Sequence, residues 1–162
     1  MRDKFVSAKE LGVISEKMRE AGKRLVATNG CFDLLHVGHV RYLAAARELG
    51  DALAIGLNGD NSVRELKGDG RPLNNERDRA ELLAALSVVD YVTVFPELRA
   101  TRFLELARPA VYVKGGDYTD ATLDQEERAV LEKAGAEVRI LPFVDGYSTS
   151  RLLEKLGSKT ER

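Results

Sequence analysis

The chain has no tryptophan, a single cysteine and only four prolines among its 162 residues. One cysteine has no partner for an intrachain disulfide, which points to a reducing compartment. No apolar run is long enough to cross a bilayer. The opening stretch MRDKFVSAKELG also lacks the apolar core of a secretory leader. Charge of one sign is missing too: 25 Lys+Arg stand against 26 Asp+Glu, a net charge of −1. That balance argues against a nucleic acid or a membrane surface as the main partner. Together these absences predict a cytoplasmic location, with no nucleic acid and no membrane among the partners. Repeats, low-complexity tracts and linkers are likewise lacking, so residues 1–162 read as one domain. Neither familiar phosphate loop, G-x-x-x-x-G-K-[ST] or G-x-G-x-x-G, is present.

What is there is a regular alternation. Hydrophobic residues make up 44% and charged residues 31%, and a chain of this length buries roughly 68–70% of its unfolded surface without staples. Ser7 and Glu10 form a capping-box pair ahead of Leu11, Ile14, Met18 and Ala21, so a helix is expected over 7–21. Apolar runs at 25–28, 52–57, 91–95, 110–113 and 137–141 read as short buried strands. Helical patterns separate them at 37–49, 75–87, 98–107 and 124–134, and a last one covers 148–156 before a polar tail at 157–162. Residues 58–75, with Gly59, Gly68, Gly70 and Pro72, read as a loop holding at most one short helical turn. Such alternation predicts the α/β class: a Rossmann-like, doubly wound parallel sheet of about five strands with helices on both faces. Ligands of such sheets bind beyond the carboxyl ends of the strands. The segments to watch are therefore 29–39, 58–72, 114–118 and 143–150.

The first of these, T-N-G-C-F-D-L-L-H-V-G-H at 28–39, carries both histidines of the chain, His36 and His39. Three residues apart at the start of a helix, they share a face that Val40 and Leu43 continue inward. A helix N-terminus offers unpaired N–H groups and the positive end of the dipole, which suits an anion. Gly38 between them leaves room for a bulky group to approach. Two imidazole donors there suit phosphoryl oxygens on which charge develops. Two other readings stand beside this one. The pair is satisfied within the core, or it binds zinc together with Cys31 or Asp33, although no further Cys or His exists to complete a common set.

H-V-G-H after N-G-C-F-D-L-L, then V-K-G-G-D-Y at 113–118, then L-P-F-V-D-G-Y-S-T-S at 141–150, resembles the cytidylyltransferase-like nucleotidyltransferases from Val26 to Leu156. The wording is most similar to the members that adenylylate D-glycero-β-D-manno-heptose 1-phosphate. The resemblance implies attack by a phosphate nucleophile on the α-phosphorus of a nucleoside triphosphate, with pyrophosphate leaving. A sugar 1-phosphate is ionised near neutral pH, so the work is alignment and charge neutralisation rather than general-base catalysis. The resemblance further implies catalytic contacts to the triphosphate from His36, His39 and Lys67, the last within the loop E-L-K-G-D-G-R-P. It assigns nucleotide binding to Asn29, Gly30, Cys31, Phe32 and Gly38, to Gly115, Gly116 and Asp117, and to Ser148, Thr149 and Ser150. The plainest role of the last three is to cap a helix. Acceptor binding falls to Asp33, Asp60, Arg79 and Lys114. Arg79 shares a helical face with Leu82, Leu83 and Leu86, so its stem is expected to point inward. Cys31 also reads as small core filler, and Asp33, Asn58 and Asp60 as turn residues. Two positions depart from the relatives: Ser150 replaces a common threonine, and Phe143 stands where some have arginine. Mg²⁺ is implied as the companion of ATP, held by the substrate rather than by protein ligands.

The expected reaction is therefore adenylyl transfer from ATP to D-glycero-β-D-manno-heptose 1-phosphate, giving ADP-heptose and pyrophosphate for lipopolysaccharide core precursors. A separate heptose kinase would supply the acceptor, and a homo-oligomer is compatible with the sequence. Beside it stands a cytidylyltransferase acting on a polyol or amino-alcohol phosphate such as glycerol 3-phosphate. A third reading, from a different class, is a nucleotide-binding module without catalysis; intact His36, Gly38 and His39 argue against it.

Overall fold

A computed structural model describes residues 4–116, 122–142 and 144–157. Asp117, Tyr118 and Phe143, singled out above, lie outside the described residues. Along the chain run α1 (Ala8–Glu20), β1 (Leu25–Gly30), α2 (Val37–Arg47), β2 (Ala52–Asn58), α3 (Asp60–Lys67), α4 (Glu76–Ala85), β3 (Tyr91–Phe95), α5 (Thr101–Ala107), β4 (Val111–Gly115), α6 (Gln125–Ala134), β5 (Glu137–Leu141) and α7 (Thr149–Gly157). The strands form one parallel sheet in the order β3-β2-β1-β4-β5. This is the Rossmann-like, five-stranded arrangement that the alternation predicts.

Local chemistry sets the helix starts. The Glu10 N–H donates to Ser7 Oγ at 3.2 Å and the Ser7 N–H to Glu10 Oε2 at 2.7 Å, a complete capping box. Asn75 accepts from the Asp78 N–H at the start of α4. Asp124 accepts from the Glu126 and Glu127 N–H groups at the start of α6, and Gly135, at φ 67, ends that helix. One element differs from expectation. Residues 60–67 form a helix of eight residues, α3, where a loop was predicted. It buries only Ser62 and Val63, too narrow a stripe to show as periodicity. Side-chain bonds hold its first turn: Ser62 Oγ donates to the Gly59 carbonyl at 3.0 Å, and Asn58 Nδ2 donates to Ser62 Oγ at 3.3 Å.

Successive residues of a strand face opposite sides of the sheet, and here each side has its own core. Val26, Leu53 and Ile55 pack with Leu43 and Ala46 of α2 and Ala80 and Leu83 of α4. Ala27, Ala54 and Tyr112 pack with Leu11 of α1, Phe103 and Leu104 of α5 and Leu131 of α6. Each fully buried leucine contributes about 2 kcal/mol. At the outer strand β3, Phe5 makes a parallel bridge to Val92, and the Val6 N–H donates to the Val92 carbonyl at 3.1 Å. Strand order reverses between β1 and β4: from β1 the chain moves out to β2 and β3, then returns to the other side. At such a switch point the flanking loops part, and a crevice opens beyond the carboxyl ends of the two strands.

Candidate active site

A cleft of about 930 Å³ fills that crevice. Its lining comes from the end of β1 and the start of α2, the end of α3, residues 98–100, the end of β4, the start of α6, and residues 144–151. The volume suits a nucleotide with a small second substrate.

His36 is the N-cap of α2, and its backbone is extended (φ −141°). Its Nδ1 accepts from the His39 N–H at 3.4 Å. The two imidazoles stack, centroids 3.8 Å apart and planes 23° from parallel. Phe32, in the left-handed region at φ 44, lays its ring 5.2 Å from that of His39. Burial pushes the His39 pKa down to about 4, with His36 and Lys67 adding to the shift. Burial also lowers that of His36. Both rings are therefore neutral near pH 7 while the cleft holds no anion. His39 Nδ1 is buried and has no hydrogen-bond partner among the described residues. A Cβ at Gly38 would lie 2.9 Å from both His36 Nδ1 and Tyr147 Cβ, so glycine lets Tyr147 approach α2 closely while Gly38 itself borders the cleft.

Ser148, Thr149 and Ser150 line the same wall. Ser148 Oγ accepts from the Arg151 N–H at 3.1 Å and so caps α7. Thr149 Oγ1 donates to the Leu34 carbonyl at 3.5 Å, and the Arg41 guanidinium lies 5.5 Å from the Tyr147 ring. Lys67 ends α3 at the cleft, and its charge reaches both His39 and Cys31. Cys31 itself is half-buried, and burial pushes its thiol pKa up. That disfavours a thiolate, and Cys31 lines the cleft instead of filling either core.

The opposite wall holds the expected Lys114 and, beside it, Glu127, which sequence reasoning missed. Lys114, at the end of β4, lies 3.8 Å from Glu127 and 5.5 Å from the Tyr112 ring centroid. Burial lowers the Lys114 pKa while Glu127 pulls it back up. Tyr112 in turn donates its hydroxyl to Asn29 Oδ1. Glu127 follows D-Q-E in the sequence and reads there as an ordinary acidic residue of a first helical turn. Only the fold brings it to the lysine.

Two expected acceptor contacts, Arg79 and Asp60, need correction, and a third, Asp33, is already hydrogen-bonded within the protein. Arg79 does point inward as expected, but it is fully buried and does not line the cleft. Its guanidinium donates to the Asn74 carbonyl (2.9 Å), the Cys31 carbonyl (2.7 Å), the Asn58 carbonyl (2.8 Å) and Asp60 Oδ1 (2.7 Å). Asp60 is thereby engaged too, and it also stands outside the lining. The two stitch together the ends of β1 and β2 instead of meeting substrate. Asp33 lines the cleft, but Arg71 Nε (2.6 Å) and the Leu73 (2.7 Å) and Asn74 (3.2 Å) N–H groups donate to its carboxylate. Burial pushes the Asp33 pKa up, but those bonds outweigh it and hold the carboxyl below its ordinary range. Gly30 and Gly115 border the cleft. Gly116, at φ 75, forms the turn beyond it and donates its N–H to the Leu141 carbonyl at 2.8 Å. Among the described residues no cluster of three or more His, Cys, Asp or Glu side chains is placed to hold a metal ion, so nothing completes a zinc site around the histidines.

Known proteins resemble this chain over most of its length. Residues 27–155 match the sequence profile of the cytidylyltransferase-like family. Bifunctional protein HldE of Geobacter sulfurreducens is 52% identical over 146 residues, which is 90% of this chain and 29% of that protein. Bifunctional protein HldE of Citrifermentans bemidjiense is 48% identical over 158 residues, 96% of this chain and 32% of the relative. The chain thus spans about 29–32% of the length of these curated relatives. Among solved structures, the lipopolysaccharide core biosynthesis protein from Thermoplasma volcanium GSS1 aligns with a TM-score of 0.63 at 28% identity, over 78% of this chain and 100% of that one.

Proposed function

We propose, from the premise that this chain belongs to the cytidylyltransferase-like family, that it transfers AMP from ATP to a sugar 1-phosphate, D-glycero-β-D-manno-heptose 1-phosphate. The observation that carries the reading is the stacked His36–His39 pair at the start of α2, set beside the start of α7 in a cleft at the switch point. Similarity to the bifunctional HldE proteins and to a lipopolysaccharide core biosynthesis protein supports an acceptor of that chemistry. A kinase would make the acceptor, and the reaction belongs in the cytoplasm, where ATP is supplied.

An oxygen of the sugar phosphate attacks the α-phosphorus. The new O–P bond forms as the bond to the β-phosphate oxygen breaks, and pyrophosphate leaves with that electron pair; no proton need move. His36 and His39 donate N–H groups to the α-phosphoryl oxygens. The incoming phosphate charge favours protonated imidazole, so attraction grows as charge shifts toward the leaving group. Lys67 and the Ser148–Ser150 donors take the terminal phosphates, and Asn29 and Gly115 border the nucleoside. Lys114 meets the acceptor phosphate. Magnesium bound to the nucleotide would supply further neutralisation of the phosphate charge. Three of the cleft carboxylates are already engaged, Asp33 by Arg71, Asp124 by Arg99 and Glu127 by Lys114, which leaves Asp145 as the other carboxylate of the lining.

Pyrophosphate release from a panel of ATP and CTP against the heptose 1-phosphate and glycerol 3-phosphate tests this. ATP with the heptose phosphate is expected to be the best pair, because a site that bonds sugar hydroxyls strongly rejects acceptors lacking them. A preference for CTP with glycerol 3-phosphate overturns the substrate assignment and leaves a nucleotidyltransferase of other specificity.

A further inference from the structure

The cleft has two unlike walls because the sheet carries two helix layers. The histidines and the α7 start belong to the wall shared with α2. Lys114 belongs to the other. It faces the same side as Tyr112, two residues earlier on β4, and Tyr112 packs among Leu11, Phe103 and Leu131. Glu127, in the first turn of α6, completes that wall. One of its oxygens, Oε2, lies 3.8 Å from Lys114 Nζ. The other, Oε1, accepts the Ala100 N–H at 3.1 Å. The two side chains are only 11% and 7% exposed, so neither is a loosely solvated surface charge. A single carboxylate therefore ties the end of β4, the segment before α5 and the start of α6 into one surface. A carboxylate beside a phosphate site is repulsive unless it is neutralised. Here the lysine and the α6 N-terminus both oppose its charge.

We propose that Glu127 is a positioning residue for the acceptor: it holds Lys114 and residues 98–100 as the wall of the subsite that receives the acceptor's phosphate. This inference rests on the transferase reading above. A residue that served stability alone would affect both substrates alike. One that acts through Lys114 affects the acceptor selectively, and its loss does no further harm once the lysine is gone.

The test is a double-mutant cycle on the full chain, with ATP and the heptose 1-phosphate varied separately. Glu127→Gln keeps an oxygen for the Ala100 N–H and removes the charge facing Lys114; Lys114→Met removes the cation. Glu127→Gln is expected to raise the acceptor KM about 10-fold and Lys114→Met about 30-fold, with the ATP KM moving less than about 2-fold. The double variant should bind the acceptor no worse than Lys114→Met alone, because Glu127→Gln then costs nothing further and removes a carboxylate left without its cation. Equal rises for both substrates, or additive effects in the double variant, overturn the inference. Melting temperatures are taken alongside, and Glu127→Gln alone decides the question should Lys114→Met fail to fold. If the unaltered protein releases no pyrophosphate with this pair, the substrate assignment above is what has failed. Equilibrium dialysis with inorganic phosphate then decides the wall separately: weaker binding by Glu127→Gln supports it and unchanged binding overturns it.

Discussion

At the scale of single residues, His39 shows how the site sets its own charge. Its folded pKa of about 4 lies below the ordinary 6.5, chiefly because it is buried. Between pH 6.5 and pH 4 the unfolded chain therefore binds a proton that the folded chain refuses. Stability is complete above pH 6.5 and falls as pH drops through this window, by at most about 3 kcal/mol. Asp33 adds a loss at still lower pH, since its folded pKa lies below the usual carboxylate value. His39→Ala should lose turnover by about 10²–10³, the cost of one transition-state donor. It should also flatten the loss of stability between pH 7 and pH 4.5 in urea unfolding. Turnover near that of the unaltered protein would remove His39 from the phosphate site; an unflattened pH profile would show that its burial does not govern its charge.

Arg79 matters at the scale of elements, since it joins the ends of β1 and β2 to the turn before α4. Arg79→Met leaves the Cys31, Asn58 and Asn74 carbonyls without this donor and Asp60 without its partner. A cost of about 3–5 kcal/mol is expected, read as a fall in melting temperature. A variant that melts normally but has lost acceptor affinity would restore the ligand role suggested by sequence. The same residue marks how far sequence reading reaches. The helical spacing of Arg79 with Leu83 shows that its stem turns inward. Spacing alone does not show whether the guanidinium then meets a ligand or three carbonyls, because their positions depend on how strands distant in sequence pair. The strands were legible because each is a short apolar run, and α1, α4 and α6 because Ser7, Asn75 and Asp124 announce them. By contrast α3 hid behind a polar surface with two buried residues, and Glu127 behind an ordinary first-turn context. His36 and His39 could be paired from spacing, while the contact of Tyr147 with Gly38 joins segments more than a hundred residues apart.

On the scale of the whole molecule, closure of the cleft is expected at the edge that carries Lys67. The segment after Lys67 has Gly68 at φ 92 and Gly70 at φ 82, conformations that glycine adopts freely. Asp33 then anchors Arg71, Leu73 and Asn74. Bending is therefore expected between Lys67 and Arg71, at the end of α3 that carries Lys67. ATP with magnesium is expected to slow trypsin cleavage at Lys67 several-fold; cleavage that proceeds equally with and without nucleotide would count against closure. The far side of the sheet has a different need. β3 is an outer strand, and an uncovered outer strand is a template on which another chain can zip up, the first step of many protein deposits. Phe5 and Val6, bridged to Val92, lie along that border as a hem. Through them the segment just ahead of α1, remote from the chemistry, covers part of the border that a second molecule would otherwise meet.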